Sequence, residues 1–238
     1  MLYSSIDQLI KNEDFYHFNQ NLFNVSDWKI MGNEILLRSE IGTPDVVFQE
    51  AKTANKLFEL ETRSIFKILQ TYTLHDHTLK GLLFINIFPS TILHIEFPNF
   101  IKKLFQKFSS IRQYIVFEIL ETDFIENIST LKERVKHLKN LGYLIAIDDV
   151  GKGWSSLNMI IELEPHFIKL DQYFSINLSE LHLKQEMIRS VLHYAHYSNS
   201  KVVLEGVERG IDLEVAKRLG VDICQGYLLH KPEPICTY

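Results

Sequence analysis

The chain has 238 residues, of which 46% are hydrophobic and 23% charged, a composition that supports one sizeable core and excludes intrinsic disorder. Its 25 basic and 30 acidic residues give a formal net charge of −5, which excludes a partnership with long nucleic acid through many Lys and Arg contacts to phosphate. Two cysteines without ligand or redox spacing, Cys224 and Cys236, no basic leader and no apolar run of about 18 residues exclude a disulfide framework and membrane insertion and predict a cytoplasmic protein.

In chain order, residues 6–12 form a short helix. Two strand-like stretches follow, 15–23 and 27–37, and the polar link Asn24-Val25-Ser26 between them predicts a hairpin whose first strand runs antiparallel to the rest. Helical spacing then covers 45–72, 90–108, 124–141, 155–162, 179–197 and 210–219. Between these segments lie β-branched or aromatic runs at 82–87, 114–119, 143–147, 167–170, 201–204 and 222–225. Several of the runs are continuously apolar, as strands covered on both faces tend to be. Eight strands with intervening helices predict a TIM-like (β/α)8 barrel, with a doubly wound sheet as the alternative. No linker, repeat or low-complexity tract divides residues 1–238, so a single domain is expected.

Chemistry on α/β barrels sits at the C-terminal ends of the strands. There the sequence supplies Glu34, Asn86, Glu118 with Glu121, Asp148-Asp149, Lys169 with Asp171, Glu205 with Glu208, and Gln225. A single acid at a strand end is ordinarily a solvated or capping group. Several unpaired carboxylates converging on one rim need a cation, because like charges at close range raise one another's pKa. Oxygen donors without His or Cys favour Mg²⁺, Mn²⁺ or Ca²⁺ over zinc. Adjacent side chains on a strand face opposite ways, so Asp148 and Asp149 share a site only where the strand breaks, and Val150-Gly151-Lys152-Gly153 supplies that break. The bland reading is a turn whose aspartates bond to backbone amides. Lys169 has two plain alternatives, a buried salt bridge to Asp171 and a Schiff-base nucleophile.

The same residues resemble, in order, the motifs of the EAL-domain phosphodiesterases. Glu34-Ile35-Leu36-Leu37-Arg38 is similar to the family's Glu-Ala-Leu-Leu-Arg, and Glu118-Ile119-Leu120-Glu121 to Glu-x-Thr-Glu. Asp148-Asp149-Val150-Gly151-Lys152-Gly153 looks like Asp-Asp-Phe-Gly-x-Gly, Lys169-Leu170-Asp171 like Lys-Ile-Asp, Leu204-Glu205-Gly206-Val207-Glu208 like Ala-Glu-Gly-Val-Glu, and Gln225-Gly226-Tyr227 like Gln-Gly-Tyr. The resemblance implies hydrolysis of cyclic di-GMP to linear pGpG at a two-metal site using Mg²⁺ or Mn²⁺, with Ca²⁺ inhibiting. It implies metal ligation by Glu34, Asn86, Glu118, Asp148, Asp149 and Glu205. Glu34, Lys169 and Glu208 would serve the attacking water, and Gln20, Arg38, Asp171 and Gln225 the substrate. Glu121 would anchor the loop after Asp149.

Departures from the pattern are Ile35 for alanine, Ser39 for Trp, Asn21 for Pro, Phe88 for serine, Leu120 for threonine, and Val150 and Trp154 for Phe and Tyr. Ile35 is expected to crowd Glu34. The alternatives are a catalytically weak or inactive EAL barrel acting as a cyclic di-GMP receptor or protein-interaction module, and an unrelated aldolase-like or glycosidase barrel. A homodimer is implied by the resemblance, and with no sensor segment in view a separate regulatory protein is a further possible partner.

Overall fold

The computed structural model describes residues 5–74, 81–120, 127–152 and 156–235. Its elements are α1 (Ser5–Asn12), β1 (Phe15–Asn24), β2 (Ile30–Ser39), α2 (Pro44–Thr53), α3 (Leu57–Leu74), β3 (Leu82–Ile87), α4 (Pro89–Leu93), α5 (Phe97–Phe108), β4 (Ile115–Ile119), α6 (Ile128–Asn140), β5 (Leu144–Val150), α7 (Ser156–Leu163), β6 (Phe167–Leu170), α8 (His182–Ser198), β7 (Lys201–Leu204), α9 (Gly210–Leu219), β8 (Ile223–Cys224) and β9 (Glu233–Pro234). Strands β2 to β8 pair in sequence order and all in parallel. β1 closes the ring, antiparallel to both β2 and β8, and β9 adds to its outer edge. This is the predicted barrel with its inverted first strand, and the doubly wound alternative is excluded by closure.

Two predicted helices are broken, each for a local reason. The segment 45–72 divides between α2 and α3 where Asn55 takes the left-handed conformation, φ 56°, which asparagine tolerates better than most residues. The segment 90–108 divides between α4 and α5 because Pro98, which lacks an N–H, is accommodated in the first turn of a new helix. The predicted helix 179–197 opens three residues late, after a turn in which Asp212 accepts the Ser179 N–H at 2.7 Å. The β1–β2 link is longer than Asn24-Val25-Ser26: it reaches Lys29, whose carbonyl accepts the Asn24 N–H at 2.9 Å, with Trp28 at φ 57°.

The larger core packs helices onto the outside of the barrel, and Ile35 and Val150 belong to it. A second cluster fills the barrel interior with Leu22, Phe84, Val116, Ala146, Phe167, Val203 and Ile223. Residues two apart on a strand share a face. Stepping two residues from this plug toward the C-terminal mouth therefore reaches Asn86, Glu118, Asp148, Lys169, Glu205 and Gln225. On the inverted β1 the step runs backward, from Leu22 to Gln20. On β2 the plug position is Gly32, where a Cβ would stand 2.7 Å from the Leu82 carbonyl oxygen and 2.9 Å from the Phe84 ring, and the step leads to Glu34. One apolar layer thus carries one polar layer above it.

Candidate active site

At the centre of the polar layer lies the Lys169 ammonium, on a side chain only 1% exposed. Its Nζ is 2.6 Å from Glu205 Oε1, 2.7 Å from Glu118 Oε1, 3.0 Å from Asp148 Oδ1 and 3.4 Å from Glu34 Oε2. These approaches are ion pairs by distance but lack hydrogen-bond alignment, and Glu118 Oε2 and Asn86 Oδ1 are likewise buried without a hydrogen-bond partner among the described residues. The Asn86 amide does donate to Glu34 Oε1 at 3.4 Å. Glu34 Oε2 accepts at 2.6 Å from the Gln225 amide, which also donates to Gln20 Oε1 at 3.0 Å. Gln20 in turn donates to the His230 carbonyl at 2.9 Å. Gln20 and Gln225 thus brace Glu34 from the closing strands.

Glu34 is positioned by the strand's own alternation. It points into the mouth, while Ile35 points outward into the sheet–helix core and is 4% exposed. The expected crowding of Glu34 by Ile35 does not occur, because the two side chains occupy opposite faces of β2. Asp148 and Asp149 line one cavity because β5 is irregular before it ends at Val150, not only in the glycine loop beyond: its register with β6 shifts between Ile147 and Val150, and Asp149 itself is left-handed, φ 55°.

The electrostatics follow from burial. Burial opposes the charge on Lys169, yet Asp148, Glu118, Glu205 and Glu34 together hold its pKa well above the usual lysine value. Burial pushes Glu118 and Glu205 well above the usual carboxylate range, more than Lys169 offsets, and neighbouring acids add to the rise. Asp149 is raised by burial and by Asp148, with Lys152 opposing. Four carboxylates face one ammonium, an excess of negative charge that a divalent cation relieves.

Among the described residues no His, Cys, Asp or Glu group forms a ready-made metal cage, since the acids close on Lys169 instead. The donor set still fits a hard divalent ion: buried carboxylate and amide oxygens with unused lone pairs, and no His or Cys among them. Lys169 is not paired with Asp171, whose carboxylate caps the Tyr173 N–H at 2.8 Å, so the simple salt-bridge alternative is replaced by a four-acid ring. Glu208 stands exposed on the rim of a cavity of about 270 Å³ that Gln20, Glu34, Asp171, Glu205 and Gln225 also line. Arg38 lies on the other side, in a cavity of about 460 Å³ that reaches Asn86, Asp148 and Asp149. Its guanidinium donates to the Leu37 carbonyl and lies 5.4 Å from the Phe18 ring centre. Glu121, Gly153, Trp154 and Ser155 lie outside the described residues.

The structure adds residues that the motifs did not single out. His17, Phe48 and Lys52 line the larger cavity, and Lys52 Nζ stands 3.9 Å from the Phe88 ring centre. Lys152 binds Asp149 at 3.3 Å. No spacing announces His17, Phe48 or Lys52; Lys152 was visible within the glycine loop, but as filler.

The family model described as the EAL domain matches residues 4–232. The chain belongs to the EAL-domain family. It is 30% identical over 242 residues to the cyclic di-GMP phosphodiesterase PdeA of Borreliella burgdorferi, covering 98% of this chain and 36% of that protein. It is 31% identical over 151 residues to PdeF of Escherichia coli, also named a cyclic di-GMP phosphodiesterase, covering 63% of this chain and 20% of the relative. The chain thus spans between a fifth and little more than a third of these relatives' lengths. Its fold matches the manganese and cyclic di-GMP complex of Klebsiella pneumoniae BlrP1 with a TM-score of 0.82 at 24% identity, over 92% of this chain and 56% of that one. No described helix of this EAL domain is long and apolar enough to cross a membrane.

Proposed function

We propose that this EAL domain, a single unit over its 238 residues, hydrolyses cyclic di-GMP to linear pGpG at a two-metal centre formed by Glu34, Asn86, Glu118, Asp148, Asp149 and Glu205. The observation that carries the reading is the buried ring of four carboxylates around one ammonium. Such a ring costs folding energy, and a cation-dependent reaction on an anionic substrate uses it. The names of the phosphodiesterase relatives and the manganese complex of BlrP1 support the same substrate and cofactor class.

A pair of Mg²⁺ or Mn²⁺ ions bound there supplies Lewis acidity and positive charge for an in-line displacement at phosphorus. The chain's own groups do the rest. Lys169, held protonated, stabilises the charge that develops on the phosphoryl oxygens. Glu34 orients the attacking water, fixed by Gln225 and Asn86. Arg38 holds a substrate phosphate in the larger cavity, where its planar fork suits bidentate binding. Both Glu208 and Asp171 line the opposite cavity; Glu208 supports the attacking water from there, and Asp171 orients the other half of the dinucleotide. A homodimer, a cytoplasmic setting and control by a separate protein complete the proposal.

The test is purified protein with cyclic di-GMP and Mg²⁺ or Mn²⁺, products resolved by chromatography, beside samples with EDTA, with Ca²⁺ and with Glu34→Gln. Conversion to pGpG that stops in all three controls is the expected result. Turnover that survives EDTA refutes metal dependence. Binding without turnover in the Mn²⁺ sample makes the domain a receptor.

A further inference from the structure

The structure assigns to Lys152 a role that rests on the two-metal reading above: its ammonium is a tethered counter-ion that a second divalent cation must displace from Asp149. Lys152 Nζ lies 3.3 Å from Asp149 Oδ2 and donates a hydrogen bond to it. The Lys152 amide also donates to the Asp149 carbonyl at 3.1 Å, so backbone and side chain hold the same residue. The turn between them is fixed by packing. Gly151 has φ 102°, and a Cβ there would stand 2.4 Å from the Phe174 ring, so the backbone lies flat against that ring and only glycine fits.

The place of this pair matters as much as its geometry. Among the described residues, Asp149 and Lys152 are the only ones that line both the 460 Å³ cavity and the 270 Å³ cavity. They form the wall between the two spaces that flank the acid ring. Lys169 serves the inner acids and makes no ion pair with Asp149 among the described residues. The inner ring and the outer aspartate therefore each carry their own ammonium. They differ in how firmly it is held, since the Lys169 side chain is 1% exposed and that of Lys152 is 61% exposed.

The two metal positions are consequently unequal. An ion entering the inner ring meets four carboxylates, three of which are already within 3.0 Å of a buried ammonium that cannot leave. An ion entering beside Asp149 meets that carboxylate, with Asp148 and Asp171 acting on the same place from the two cavities, and evicts an ammonium whose long, exposed stem is free to swing into either cavity. Eviction opens the wall between them, so the same event that fills the second site joins the two cavities over the acids. Partly exposed ion pairs are modest in strength and weaken with salt. Removing the lysine should tighten the second metal site by about 1.5- to fivefold, that being the factor such a pair is worth.

The experiment is calorimetric binding of Mn²⁺ alone to the purified protein and to Lys152→Met and Lys152→Arg, each checked for folding by circular dichroism. Two binding steps are expected in the unmodified protein. In Lys152→Met the tighter step should stay in place and the weaker one should tighten by about 1.5- to fivefold, while Lys152→Arg should keep the unmodified constants. A second step that appears only in Lys152→Met supports the role more strongly. An unchanged or weakened second step in Lys152→Met overturns it. A single step in all three proteins also overturns it, and with it the second metal site, whereas the activity assay decides separately whether cyclic di-GMP is cleaved.

Discussion

Lys169→Met isolates what the central ammonium does. The substitution keeps the length and most of the volume of the side chain but removes the one positive charge shared by Glu34, Glu118, Asp148 and Glu205 at 2.6–3.4 Å. Removing one partner of a buried ion pair costs about 3–5 kcal/mol, because the remaining charge is left uncompensated. Several acids lose the same partner here, so the metal-free variant should sit at or above the lower bound, about 3 kcal/mol below the unmodified protein. For a domain of this size that is a fall of roughly 6–12 °C in the unfolding midpoint. A divalent ion supplies the missing charge. At about one hundred times its dissociation constant it stabilises a folded protein by about 2.7 kcal/mol, and without a competing ammonium it should bind the variant more tightly. The assay is thermal and denaturant unfolding of both proteins in EDTA and in Mn²⁺, with cyclic di-GMP hydrolysis measured alongside. The expected pattern is a variant that is unstable in EDTA, largely rescued by Mn²⁺, and inactive in both. Equal midpoints in EDTA, or no stabilisation of either protein by Mn²⁺, would refute the reasoning that the ring is a cation site held together by lysine.

Two other predictions follow from named contacts. Gln225→Leu deletes the 2.6 Å donor to Glu34 in a side chain that is 4% exposed; metal affinity by calorimetry should fall about ten- to a hundredfold, and an unchanged affinity would show that Gln225 does not position Glu34. His17 is buried against Ser64 Oγ at 2.8 Å, and burial first, then Lys67, lowers its pKa from 6.5 to about 3. Its folded pKa lies below the unfolded value, so this contribution to stability is complete above pH 6.5 and is lost as pH falls toward 3. The loss reaches about 2 kcal/mol at pH 5. Denaturant midpoints measured between pH 7.5 and 5 should show that loss in the unmodified protein and a flatter profile in His17→Gln; parallel profiles would remove His17 from the acid response.

The barrel was legible because its strands announce themselves twice, by apolar runs and by the polar residue that ends each run. Phe84 to Asn86, Val116 to Glu118, Ala146 to Asp148, Phe167 to Lys169 and Val203 to Glu205 all repeat one step of two, which places a polar ring over an apolar plug. The inverted direction of β1 was legible from the polar link that follows it; its pairing with β8, which closes the ring, was not. What the sequence did not disclose is set by three-dimensional partners. The breaks near Asn55 and Pro98 depend on where the chain must turn to keep α3 and α5 against the barrel, and helical periodicity runs through both. The fate of Ile35 turned on the face of β2 it occupies, which alternation settles only once the register is known. That Lys169 would meet four acids rather than Asp171 depends on the stagger between strands, and nothing along the chain specifies it. The pairing of Lys152 with Asp149 rests on a left-handed aspartate, a conformation for which the sequence carries no mark beyond the glycine two residues on, Gly151.

The arrangement also bears on the choice between an enzyme and a receptor. Docking an anionic dinucleotide without a metal calls for basic and apolar groups on the rim, such as Arg38 and Lys152, and gains nothing from buried acids. Each buried ion costs several kcal/mol in desolvation before its partner repays it. A barrel that only bound the ligand would be more stable with Glu118, Asp148 and Lys169 replaced by apolar side chains continuing the plug of Val116, Ala146 and Phe167. Here all three remain, buried to 0%, 6% and 0% exposure, with Glu34 braced by two further strands. Lys169 makes that ring foldable without metal, and it does so incompletely, leaving carboxylate oxygens with no hydrogen-bond partner among the described residues. A ring satisfied enough to fold and unsatisfied enough to attract a cation is the condition that the proposed metal-dependent hydrolysis requires, and the turnover assay above decides between that reading and a receptor.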